Sequence, residues 1–115
     1  MSLTRDQILS QTSLRKSVVE VPEWGGSITL RAITVAERDT LEQFIASQKG
    51  NIKGIRPRLL RLCAVDDSGA HIFTDADTGT IEKIDASVAE RLIDECMKLC
   101  GLKQSEVAGN SKPGP

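Results

Sequence analysis

Aromatic residues are nearly absent from this chain of 115 residues: Trp24, Phe44 and Phe73 are the only three, and there is no tyrosine. Any core must therefore be aliphatic, and a platform of stacked rings for single-stranded nucleic acid is excluded. An excess of one charge is missing as well. Fifteen Lys and Arg stand against sixteen Asp and Glu, a formal net charge of -1, so no overall field draws the chain to a polyanion or to an anionic membrane surface. Apolar runs are short. Nothing approaches the ~18–20 residues of a membrane span, and MSLTRDQILSQTS at the N-terminus lacks the apolar centre of a secretion signal. Disulfide chemistry is not indicated either, because Cys63, Cys96 and Cys100 are odd in number and lie in apolar periodic segments, which suits a reducing compartment. The expectation is a cytoplasmic protein of one domain, large enough to bury roughly two-thirds of its extended surface without metal or disulfide.

Groups that carry chemistry are equally sparse. His71 is the single histidine and has no nucleophile with a recognisable motif beside it, so it reads as a satisfied loop residue. Cys96 and Cys100 are one helical turn apart, but a zinc site needs about four ligands. Only Cys63 and His71 remain, at spacings that match no common finger, and the cysteines read as small core residues. Asp75, Asp77 and Gly79 resemble the start of a calcium loop, yet the glycine comes one position early and Ala86 stands where a bidentate glutamate is required. Gly50-Asn51-Ile52-Lys53-Gly54 lacks the Lys-Ser/Thr of a phosphate loop. No catalytic group, cofactor or metal site is expected.

The periodicities point to an α+β fold, mostly helical, with an N-terminal β-hairpin packed on two or three amphipathic helices. Residues 1–17 form an arm or short helix, 18–102 the folded domain and 103–115 a polar tail. Val19 and Val21 alternate with Glu20, Trp24-Gly25-Gly26 turns the chain, and Ile28, Leu30 and Ala32 alternate with Thr29 and Arg31. Thr34 and Glu37 have capping-box spacing, and Leu41, Phe44, Ile45 and Gln48 then share a helical stripe that Gly50 ends. A second helix starts near Pro57 and carries Leu59, Leu60, Leu62 and Cys63 until the turn Asp66-Asp67-Ser68-Gly69. His71-Ile72-Phe73 reads as a short extended segment. The last helix places Val88, Ala89, Leu92, Ile93, Cys96, Leu99 and Cys100 on one face, with Asp85 or Ser87 as cap and Gly101 as stop.

Two surface features suit a protein partner. Lys49, Lys53, Arg56, Arg58 and Arg61 form a basic run with no acid among them, either a solvated face or a dock for an acidic protein. Trp24 at the hairpin turn either caps the core or stands out as an anchor, since tryptophan is enriched at binding hot spots. Glu23, Trp24 and Arg31 of the hairpin, with Arg56, Arg58 and Arg61 of the second helix, are the candidate partner-binding residues.

The run Val19-Glu20-Val21-Pro22-Glu23-Trp24-Gly25-Gly26, the strand with Arg31 and the following Thr34-Val35-Ala36-Glu37-Arg38-Asp39 resemble the tail assembly chaperones of long-tailed bacteriophages. The likeness extends to Ile8-Leu9-Ser10 and to Asp66, Gly69, Ile72 and Phe73, and so covers most of residues 8–102. It implies a non-enzymatic protein that coats and solubilises the tape measure protein, recruits tail tube subunits and is absent from the mature virion. It also implies action in the host cell cytoplasm, self-association, and in many relatives a longer frameshifted product, of which this chain looks like the shorter form. No nucleic-acid or membrane partner is implied. The other readings are a small head–tail or tail-completion protein retained in the virion, and a small enzyme or nucleic-acid regulator. The last lacks a nucleophile paired with a base and any base-reading motif.

Overall fold

Thr4 opens the first helix, α1 (Arg5–Leu9), with a closed capping box: its Oγ1 accepts from the Gln7 amide at 3.2 Å and its own amide donates to the Gln7 side chain at 2.9 Å. The computed structural model describes residues 2–102, and in it no residue of α1 is buried. The expected hairpin follows. Strands β1 (Lys16–Val21) and β2 (Gly26–Arg31) pair antiparallel from Lys16↔Arg31 to Val21↔Gly26. Pro22 starts a single 3₁₀ turn, Pro22–Trp24, and Gly25 closes it in the left-handed region at φ +75. Alternation sets the faces: Val21 and Leu30 point into the core, while Val18 points to solvent.

A third strand completes the sheet in the order β1-β2-β3. β3 (Ala64–Val65) pairs antiparallel with β2 through Thr29↔Val65 and Leu30↔Ala64. The sequence reading ran the second helix on to Asp66; instead it stops at Cys63, and the pair of residues before the turn becomes strand. The physical reason is the Asp66 side chain, which accepts from the amides of Ser68 and Ala70 and fixes a tight turn, so Val65 can bridge back to His71.

Helix α2 (Val35–Ser47) begins at the Thr34/Glu37 capping box, closed by bonds of 3.0 and 3.1 Å. Helix α3 (Ile55–Cys63) starts two residues before Pro57, which sits in the first turn where no amide donor is needed. Its N-cap, Gly54, has φ +85, and a Cβ there would lie 3.3 Å from Phe44 Cζ. A short turn of helix, α4 (Thr78–Ile81), leads to the longest element, α5 (Ala86–Cys100). Asp85 is the N-cap of α5 and Gly101, φ +67, ends it. Of the expected face of α5, Val88, Leu92, Ile93, Cys96 and Leu99 are buried and Cys100 packs against them, joined by Met97, whereas Ala89 is only partly covered and stays outside the core.

The core is aliphatic throughout. Leu30, Leu59 and Leu92 have no exposed surface, and each such side chain contributes roughly 1.5–3 kcal/mol by leaving water. The result is a single α+β domain, with three strands against five helices among the described residues. Among the described residues no helix is long and apolar enough to cross a membrane. The polar tail expected at 103–115 lies outside them.

Candidate partner-binding surface

Glu37 organises the face on which β2, α2 and the segment after β3 meet. Having closed the capping box, its carboxylate receives both prongs of the Arg31 guanidinium, at 2.9 and 3.0 Å. His71 Nε2 lies 2.8 Å from Glu37 Oε2. Arg31 Nη2, a donor, lies 3.0 Å from the same ring nitrogen, which can serve only one of the two: it donates to Glu37 when it carries the proton and accepts from Arg31 when it does not. Burial alone would raise the Glu37 pKa, but the bonds from Arg31 and from the Thr34 amide outweigh it and hold the carboxyl below its usual range. The same pairing raises Arg31. Arg31 is only 7% exposed. The structure thus turns this candidate inward, where its charge secures the fold.

Within the basic run the arginines are paired in the molecule, whereas Lys49 and Lys53 are exposed. Arg61 bonds Asp75 at 3.1 Å and is mostly covered, with its Nε buried and unpartnered. Arg58 lies over the Phe44 ring, 4.0 Å from its centre, with Asp75 at 4.0 Å. Arg56 is half exposed and only loosely paired, 3.8 Å from Glu90. Glu23 bonds Arg91 at 2.6 Å, which ties the hairpin turn to α5. Sequence reasoning missed Asp75 as the common partner of two arginines, since nothing in its spacing signals an ion pair across 14 residues.

Trp24 stands apart from these. It is 48% exposed and forms one wall of an apolar hollow of about 450 Å³, with Ile28, Phe73 and Ile84 deeper in and Ile72, 45% exposed, on the rim. Trp24 thus covers part of the hollow and leaves the rest of its surface in solvent. Among the described residues Asp77 is the one charged lining residue. A second hollow of about 330 Å³, lined by Ile52, Lys53, Arg56 and Ile93 among others, adjoins the first at Leu60, Ile81 and Ile84. The linings are mostly aliphatic and offer shape and apolar contact.

The three thiols lie in the interior, where α3, carrying Cys63, meets α5, carrying Cys96 and Cys100. Cys63 and Cys96 are buried, and Cys63 Sγ lies 3.7 Å from Cys100 Sγ. The Cys100 contact favours a Cys63 thiolate, but the Cys96 contact and burial outweigh it and push the thiol up; Cys100 is pushed up by Cys63 and by burial. Such thiols are inert at neutral pH. Among the described residues no group of three or more His, Cys, Asp or Glu is arranged to hold a metal ion.

No protein-family model matches the chain, and no curated protein matches it in sequence. In three dimensions it is similar to the tail assembly chaperone of bacteriophage HK97, with a TM-score of 0.61 and 19% identity, over 84% of this chain and 94% of that one. At that identity the likeness is one of fold, and the chain shares the α+β architecture of that tail assembly chaperone.

Proposed function

We propose that this protein is a non-enzymatic tail assembly chaperone of a long-tailed bacteriophage. It binds the tape measure protein in the host cytoplasm, keeps it soluble, recruits tail tube subunits and is left out of the mature virion. The observation that carries this reading is the shared fold with the HK97 chaperone across nearly the whole of both chains. The surface supports it: Trp24, Ile72 and Phe73 expose apolar area on a domain of near-zero charge, as a protein-binding module requires. Self-association belongs to the same reading, because many weak copies along one long client gain from multivalency once neighbouring copies touch.

Co-expression with a tape measure protein tests it. The client should become soluble and the two should purify together, while mass spectrometry of finished particles should find no trace of this chain. A client that stays insoluble and never co-purifies, or a chain present in the particle, overturns the reading.

A further inference from the structure

The helix α1 is fully formed and buries nothing. Five residues are far too few for a helix to persist in water unsupported, yet its capping box is closed, and Leu3, Ile8 and Leu9 are left in solvent. Leu3 precedes the N-cap and Ile8 is the fourth helical residue, the two positions of a hydrophobic staple. Arg5 lies three residues before Ile8 and four before Leu9, so these three share one face of the helix. That face offers two aliphatic side chains and one cation.

The hollow beside Trp24 offers the complement. Its walls are mostly apolar, its rim residues Trp24 and Ile72 are half exposed, and among the described residues its one charged lining side chain is Asp77, whose Oδ2 accepts from the Thr74 amide at 2.8 Å. The arm of the same molecule is poorly placed to fill it. Arg15, the residue before β1, is held at the far end of the hairpin: its guanidinium donates to the Leu99 carbonyl and its own carbonyl accepts from the Ala32 amide at 2.8 Å. Trp24 is at the other end of the strands, beyond a run of roughly 17 Å at ~3.4 Å per residue. The link from Leu9 to Arg15 is not extended: the Ser10, Gln11 and Thr12 amides donate back to the Asp6, Ile8 and Ser10 carbonyls, so it spans less than the ~20 Å of six extended steps and holds α1 toward the Arg15 end.

We propose that α1 docks in the Trp24 hollow of a second copy of the chain, Ile8 and Leu9 filling it and Arg5 meeting Asp77. This specifies the contact behind the self-association in the functional reading and rests on that part of it; the identity of the client does not enter.

Trp24 is the only tryptophan, so its emission reports directly on the hollow. In the full chain, emission should move to the blue as concentration rises, in step with the sedimentation coefficient. Because α1 buries nothing, an Ile8→Ser/Leu9→Ser chain will fold, and it should associate at least tenfold more weakly. Ile72→Ser on the rim should do the same. A synthetic peptide of residues 1–14 should restore the blue shift in the arm variant. Self-association undiminished in both variants overturns the proposal while leaving the functional reading intact. So does emission that is blue at every concentration, which would place the arm on its own domain, or a Trp24 signal that answers to a tape measure helix and not to the peptide. A chain that stays monomeric throughout overturns the proposal and self-association together, with client co-purification still deciding the rest of the functional reading.

Discussion

Arg31 and Glu37 form a two-pronged ion pair that joins the last residue of β2 to the first turn of α2, with the Arg31 side chain 9% exposed and that of Glu37 20%. Removing one partner of such a covered pair strands the other, at a cost of about 3–5 kcal/mol. Glu37→Ala also opens the capping box. The variant should be destabilised by at least about 3 kcal/mol in chemical denaturation, and a loss under about 1 kcal/mol would show that water relieves Arg31.

The same carboxylate sets a pH window. Its folded pKa lies below its unfolded value, since the Arg31 and Thr34 bonds outweigh burial. The stability it contributes is therefore complete above the usual glutamate range of about 4.3 and is lost as pH falls through the depressed folded value. Denaturation midpoints followed from pH 6 to pH 3 should drop steeply at the acid end. Glu37→Gln should start lower and fall less over the same window; a parallel fall would assign the acid loss to other groups.

Two glycines should respond oppositely to alanine. Gly54 is left-handed, φ +85, and crowded by Phe44, so Gly54→Ala should cost about 1–2 kcal/mol. Gly79, inside α4, has open space where a Cβ would stand, and Gly79→Ala should stabilise by about 0.5–1 kcal/mol. Thermal unfolding of the pair measures both signs.

Trp24 and Leu92 separate surface from core. Leu92→Ala should cost about 2–5 kcal/mol, as full burial without collapse does. Trp24→Ala should cost about 1 kcal/mol or less, yet weaken both self-association and, through lost avidity, co-purification with the tape measure protein. A collapse of folding in Trp24→Ala would return that side chain to the core.

The thiols give a simpler check. With Cys63 and Cys96 buried and the Cys63 and Cys100 thiols pushed up, a disulfide reagent at pH 7 should react slowly with the native protein and with all three cysteines at once after denaturation. Rapid native labelling would mean that α5 opens readily.

What could be read in the residues follows from how local the physics is. The caps at Thr34 and Asp85, the Gly101 stop and the faces of α5 are all decided within four residues, and each stands where spacing puts it. β3 was illegible because Cys63, Ala64 and Val65 suit helix or strand, and only the distant β2 edge decides between them. The candidate site divides in the same way. Trp24 stands out by its rarity, whereas the inward turn of Arg31 and the pairing of Arg58 and Arg61 with Asp75 depend on neighbours 14 or more residues away, or on a helix cap already in use. Ile72 and Phe73 read as part of a short extended segment and of the resemblance; their place beside Trp24 is a product of tertiary structure.

Arg15 fixes the origin of the arm at the pole where α5 ends, and the hairpin carries Trp24 to the other pole. A donor at one end and an acceptor at the other make a heterologous contact, one that need not close on itself. Copies joined in that way form a row with an unsatisfied arm at one terminus and an empty hollow at the other. A contact of that kind sets no fixed number of copies, as a closed symmetry of the domain would.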